Sequence, residues 1–322
     1  MRIDAHVHLV PSGYRSELER VGELVFPPPD WSSDLTLEFM RRYDIDAAVM
    51  SVAPPGASVA DRGMARELAR LCNEETAALV RASPQTFAGL GVLPLFGPSS
   101  LDDAMTELAY CLDVQELDGI ILYSNSAGVY PGDEQMRPLL CELNRRGAYV
   151  FLHPTATATP SPAPQLPVWL QEFPFDTTRA LASLIYGGAL ELFPRIRFQV
   201  AHLGGAAPFL VHRLSSLAIR DPAAAELAPR GTSEYLSRLW YDTGLSDDHV
   251  AVNATRSLAG ISKILFGSDW PYLALPEAHG NPAPGLNFLP AQDRKAVDAE
   301  NVSALIPRLG VHSSSVSASR ST

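Results

Sequence analysis

His6 and His8 stand one residue apart in the short run Arg2-Ile-Asp-Ala-His-Val-His-Leu9. In an extended chain successive side chains face opposite ways, so the two imidazoles share one face and Ile3, Ala5, Val7 and Leu9 share the other. Neutral imidazole is a good metal donor at pH 7, and two on one face are half of a metal site. Three later apolar runs finish on a residue of the same kind and meet Pro or Gly within two residues: Tyr149 to His153, Arg197 to His202, and Ile264 to Asp269. His6, His8, His153 and Asp269 would offer three nitrogens and one carboxylate oxygen to a single divalent ion, with a further place for water or substrate. His202 is the candidate for proton transfer beside that ion. Taken alone, each reads as an ordinary core or turn residue; as an ordered set at strand ends they read as a site. His212, His249, His279 and His312 lack that placement, and only His279, in the segment after Asp269, is a further candidate for the pocket.

Those residues need elements to position them. Eight strand-like runs begin near Ile3, Ala47, Phe87, Gly119, Tyr149, Arg197, Leu239 and Ile264, and most are separated by helical spacing. Leu101, Met105, Leu108 and Leu112 recur at three and four residues, with Ser100 as N-cap and Asp102 and Asp103 in the first turn. Met136, Leu139, Leu140 and Leu143 repeat the pattern, and Gly147 is placed to end that helix. Strand alternating with helix eight times predicts an α/β fold, a (β/α)8 TIM barrel, with its ligands at the C-terminal ends of the strands. One catalytic domain over residues 1–312 is expected, with loop insertions at 154–174 and 275–290 and a Ser-rich disordered tail at 313–322.

Composition narrows the function. The 322 residues carry a formal charge of −11, which argues against nucleic acid or an anionic membrane as partner. No apolar stretch approaches a membrane span, and a first strand beginning at residue 2 leaves no room for a secretion signal, so a cytoplasmic location is expected. Cys72, Cys111 and Cys141 have no CxxC spacing and read as buried free thiols. The two lysines, Lys263 and Lys295, both lie far from the fourth candidate strand. Leu122-Tyr-Ser124 stands at the end of that strand, where two-metal barrel hydrolases commonly carry a modified lysine, so a mononuclear centre is predicted.

With those motifs in place the chain resembles the amidohydrolase superfamily. The likeness is to its branch of metal-dependent non-oxidative decarboxylases, which includes the aminocarboxymuconate semialdehyde, 6-methylsalicylate and resorcylate decarboxylases. It rests on Asp4-Ala-His-Val-His8, Leu152-His-Pro154, Phe173-Pro-Phe-Asp-Thr-Thr178, Ala201-His-Leu-Gly-Gly-Ala-Ala-Pro-Phe209 with Arg213, and Phe266-Gly-Ser-Asp-Trp-Pro271. The resemblance implies that His6, His8, His153 and Asp269 bind one divalent ion, zinc from the His-x-His start, with manganese also accepted by such donors. It implies that His202 is the catalytic histidine and that Trp169, Trp270 and Tyr272 line the substrate pocket. Arg213 would reach the site of a neighbouring subunit, which makes a homodimer the implied assembly. The semialdehyde decarboxylase pattern also has a carboxylate-binding arginine after the first strand, and residues 22–34 contain none; Arg20 is the nearest. That departure favours a substrate with one carboxylate, as in the 6-methylsalicylate decarboxylases.

The implied reaction is loss of CO2 from an ortho-hydroxybenzoate or a related unsaturated acid, with Asp269 or His202 giving a proton to the carboxyl-bearing carbon. The rival reading is a metal-dependent lactonase or amidase, which would use the same five residues. A non-catalytic metabolite-binding barrel fares worst, because binding alone gives no reason for an open metal position beside a further histidine.

Overall fold

Parallel strands covered on both faces need nearly continuous apolar runs, and the chain supplies eight. They are β1 (Ile3–Leu9), β2 (Ala47–Val52), β3 (Phe87–Val92), β4 (Gly119–Tyr123), β5 (Tyr149–His153), β6 (Arg197–Val200), β7 (Trp240–Asp242) and β8 (Ile264–Leu265). All begin at the expected residue except β7, which starts one later than Leu239. The structure is a computed structural model and describes residues 1–22, 29–157, 165–272 and 280–310.

The strands pair in parallel in chain order from β1 to β8, with His8 opposite Ser51 and Tyr123 opposite His153. The circle is completed by backbone hydrogen bonds between β1 and the segment after β8. Ala5 N–H donates to Phe266 O at 2.8 Å, Asp269 N–H to His6 O at 2.9 Å, and His8 N–H to Trp270 O at 2.8 Å. The result is the (β/α)8 barrel, and its closing seam holds Asp269 directly beside the His6/His8 pair.

The helices that matter for the site are α1 (Ser12–Val21), α2 (Ser33–Arg42), α3 (Arg62–Ala82), α4 (Leu101–Ala109), α5 (Arg137–Arg146), α6 (Val168–Tyr186), α7 (Ala189–Leu192) and α8 (Ala207–Arg220). Gly147 ends α5 with φ of 60°, a left-handed cap that glycine adopts without steric cost. Ser100 does not cap α4. Its hydroxyl accepts from Phe96 N–H and donates to Gly97 O, so it fixes the turn ahead of the helix instead.

The expected insertion at 154–174 is partly helix, because α6 starts at Val168 and carries Pro174 inside it at the loss of one helical hydrogen bond. Residues 158–164 lie outside the described residues. In the expected insertion at 275–290, Pro284–Phe288 form a 3-10 turn, while 273–279, with His279, lie outside the described residues, as do 311–322 with His312 and the Ser-rich tail. Cys72 and Cys111 are buried free thiols, whereas Cys141, expected to be buried, is exposed on the solvent side of α5. No helix among the described residues is long and apolar enough to cross a membrane.

One buried amide ties helix to strand. Asn73 of α3 is fully buried; its Nδ2 donates to Val92 O at 2.9 Å and to Glu107 Oε1 at 2.8 Å, and its Oδ1 accepts from Val92 N–H at 2.8 Å. Replacing Asn73 by Leu strands the N–H and the carbonyl of Val92 at the end of β3 and takes one partner from Glu107, which keeps Arg70, and urea unfolding should show a loss of about 2–4 kcal/mol.

Candidate metal centre

Five donor side chains meet at the C-terminal mouth of the barrel. His6 and His8 come from β1, His153 is the last residue of β5, and His202 and Asp269 follow β6 and β8. One donor atom from each of His6, His8, His153 and Asp269 lies within 4.8 Å of the other three. The Nε2 atoms of His6 and His8 are 3.1 Å apart, and each is 3.2 Å from Asp269 Oδ1. Asp269 Oδ2 turns the other way, 3.3 Å from His202 Nε2.

The opposite nitrogen of each of the three histidines is committed to the barrel wall. His6 Nδ1–H donates to Asp242 Oδ1 at 2.8 Å, His8 Nδ1 lies 3.3 Å from Ser51 O, and His153 Nδ1 lies 2.7 Å from Pro154 O. With Nδ1 as donor in each ring, the three Nε2 atoms converge on one spot, where a cation would take the place of the proton on His6.

The electrostatics suit a cation there. Burial pushes His8 and His153 below the usual imidazole range, which keeps them neutral. Burial also works against charge on His6, but the Asp242 and Asp269 carboxylates override it and raise His6 to about 10. Burial opposes ionisation of Asp269, yet His6, His202 and His8 hold it well below the ordinary carboxylate range. A carboxylate pair able to keep a buried imidazole protonated attracts positive charge. His153 Nε2, buried without a hydrogen-bond partner in the described structure, is the kind of orphaned lone pair that a metal ion satisfies. The residues therefore fit a single divalent ion held by three nitrogens and an oxygen.

The cluster forms the floor of a cavity of about 400 Å³. Its walls include Pro54, Trp169, Leu170, Phe173, Pro174, Leu245, Ser246 and Tyr272, and none of the described lining residues is Lys or Arg. Tyr272 meets His8 edge to face at 5.6 Å, and Trp169 stands at the rim, 46% exposed. Trp270, expected in the wall, instead stacks on Phe39 of α2 at 4.9 Å, turned there by its place in the closing seam. Arg213 does not line the cavity of its own chain; it lies on the exposed face of α8. Arg20 is ion-paired with Glu17 on the surface of α1.

Sequence reasoning did not single out Asp242. It is fully buried, and beyond the His6 ring its carboxylate accepts from Gln199 Nε2 at 2.8 Å, His202 N–H at 3.3 Å and Gly244 N–H at 3.1 Å. The signal was present, since Asp242 ends a candidate strand just as His153 does. Its bond to His202 N–H also bears on strain, because His202, Leu203 and Asp269 all carry left-handed backbone, with φ of 54°, 52° and 60°.

Comparisons with known proteins bear on the family and the fold. The amidohydrolase family profile matches residues 3–305. The chain is similar to 6-methylsalicylic acid decarboxylase of Penicillium expansum, with 30% identity over 96% of this chain and 97% of that one. It is similar to 2-amino-3-carboxymuconate-6-semialdehyde decarboxylase of Dictyostelium discoideum, with 28% identity over 84% and 82% of the two chains. The barrel superposes on 5-carboxyvanillate decarboxylase of Novosphingobium aromaticivorans, solved with bound manganese, with a TM-score of 0.82 at 18% identity over 95% and 97% of the chains. Barrel, strand-end cluster and a family match spanning nearly the whole chain lead to one conclusion: the protein belongs to the amidohydrolase family.

Proposed function

We propose that this protein is a metal-dependent non-oxidative decarboxylase that releases CO2 from an ortho-hydroxybenzoate of the 6-methylsalicylate type. The observation that carries the reading is the convergence of three Nε2 atoms and one carboxylate oxygen at the floor of an apolar-walled cavity, with a fourth histidine beside them. Similarity over most of the chain to a relative named 6-methylsalicylic acid decarboxylase supports the substrate class. A cavity of about 400 Å³ suits one substituted ring.

His6, His8, His153 and Asp269 would hold the ion. When bound, it supplies a Lewis acid for the ortho-oxygen and one carboxylate oxygen of the substrate. Zinc and manganese both accept this donor set, and metal analysis of the purified protein decides between them. His202 and Asp269 are the proton pair: the proton shared between Nε2 and Oδ2 passes to the carboxyl-bearing carbon. The carbon–carbon bond then breaks, its electron pair returns to the ring, and CO2 leaves as aromaticity is restored. Trp169, Phe173 and Tyr272 offer flat or apolar surface to the ring and help exclude water.

Two further elements belong to this reading. Phe209 and Ile219 of α8 are 84% and 81% exposed on the helix that carries Arg213, which supports a homodimer in which Arg213 acts in the neighbouring subunit's site. Free cysteines and the acidic charge support a cytoplasmic enzyme without nucleic-acid or membrane partners.

His202→Ala should cut turnover of ortho-hydroxybenzoates by about 10²–10⁴-fold while metal content stays near one per chain; retained turnover would remove His202 from the reaction. Following CO2 and acid release separately on hydroxybenzoates and simple lactones tests the class, and acid without CO2 would make the protein a hydrolase. Asp242→Asn should weaken metal affinity by about 10–100-fold in chelator competition, because the acceptor that holds the His6 ring loses its charge. If Arg213 acts across a dimer, mixing inactive Asp269→Asn and Arg213→Ala proteins should restore about a quarter of wild-type activity, since each mixed dimer rebuilds one site.

A further inference from the structure

The motif Phe173-Pro-Phe-Asp-Thr-Thr178 contains a buried acid that neither the metal cluster nor the proton pair uses. Asp176 is fully buried on α6, two residues past the cavity wall formed by Phe173 and Pro174. Its Oδ2 accepts from the Ser124 hydroxyl and from Asn125 Nδ2 at 2.8 Å, and its Oδ1 accepts from the Tyr130 hydroxyl at 2.6 Å. Arg179, half-exposed, stands 3.5 Å away.

The donors lead straight to the site. Ser124 Oγ accepts from Thr155 N–H at 3.0 Å and Ser124 N–H donates to His153 O at 2.8 Å; Asn125 Nδ2 also donates to Ala156 O at 3.1 Å. Oδ2 thus ties α6 to the residues just past β4 and through them to the chain leaving His153, while Oδ1 ties it to Tyr130 farther along the segment that follows β4.

Two residues on, Thr178 fastens the same helix to the other side. Its hydroxyl donates to Pro174 O at 2.8 Å and accepts from Ala206 N–H at 3.0 Å, in the turn that follows His202. Gly205 in that turn lies so close that a Cβ would sit 2.2 Å from Pro174 O. The helix that carries Trp169, Leu170, Phe173 and Pro174 is therefore pinned on both sides of the cavity.

We infer that Asp176, with Thr178, is a positioning residue that clamps the wall helix α6 between the strand ends bearing His153 and His202, and so sets how closely the pocket fits the substrate ring. An ionised carboxylate suits the role because it is acceptor-only and three donors point at it; an amide would turn an N–H₂ toward one of them. The inference rests on the decarboxylase reading only for the choice of ring probe.

The test uses metal-loaded full-length Asp176→Asn, with Tyr130→Phe and Thr178→Val as milder variants should the first fail to fold. Three quantities are measured: hydrogen exchange over residues 168–178, equilibrium binding of salicylate, and the KM and kcat of two ortho-hydroxybenzoates that differ by one methyl group. Asp176→Asn should retain one metal per chain, exchange faster across 168–178 than elsewhere, and bind salicylate about tenfold more weakly. KM should rise by a similar factor, kcat should stay within about threefold, and discrimination between the two rings should fall. The milder variants should shift binding and KM by about two- to fivefold in the same direction. A lower Tm with local exchange, salicylate binding and ring preference unchanged would overturn the inference, as would a fall in kcat at constant KM. Should the wild type release no CO2 from either ring, the decarboxylase reading fails, while exchange and salicylate binding still decide the clamp.

Discussion

Three imidazoles can point their lone pairs at one place only if something holds their other nitrogens, and that restraint underlies the whole mouth of the barrel. Asp242, the Ser51 carbonyl and the Pro154 carbonyl each take one Nδ1–H, and all three acceptors sit at or just beyond a strand end. Asp242 is itself held from below. The Tyr149 hydroxyl donates to Gln199 Oε1 at 2.6 Å, and Gln199 Nε2 donates to Asp242 Oδ2 and to Ala5 O. A polar column therefore runs from Tyr149 through Gln199 and Asp242 to the His6 ring. Polar groups buried so deeply are tolerable only when each finds a partner, and here the pairing also sets the tautomer of His6.

The closing seam of the barrel gives the second restraint. Asp269 carries left-handed backbone, as do His202 and Leu203, and such residues cost about 1–3 kcal/mol each unless the surroundings impose them. The surroundings do so: Asp269 N–H is bonded to His6 O, and His202 N–H to the Asp242 carboxylate. The large buried core of the barrel can carry that strain at its rim, where the side chains must be aimed away from their own strands.

Much of this could be read from the amino acids because parallel barrel strands are written as short apolar runs, and packing alone seldom calls for a His or Asp where such a run stops. The order of strands and the convergence of His6, His8, His153, His202 and Asp269 followed from that pattern. Trp270 did not, since nothing local distinguishes a ring facing a cavity from one stacked on Phe39 across the seam. The start of α6 was hidden by Pro167 and Pro174, which bracket a stretch that reads as loop although Val168 onward is helical. Ser100 had the right residue type for a cap, but a tight turn on its N-terminal side claimed the hydroxyl. Asp242 was visible as a strand-end acid, yet its importance lies in contacts with β1 and β6 that only the closed barrel brings about.

The lack of any Lys or Arg among the described residues lining the cavity has a thermodynamic consequence. An anionic ring entering a single subunit meets no Lys or Arg among those described residues, so a cation held by the floor would be its main counter-charge and occupancy by cation and by anion would be linked. Linkage is reciprocal: by whatever factor the cation tightens the hold on the acid, the acid tightens the hold on the cation. Conversion of the anionic acid into neutral gaseous and phenolic products would remove that coupling, so the change of charge made by the reaction itself loosens the hold on what has been formed.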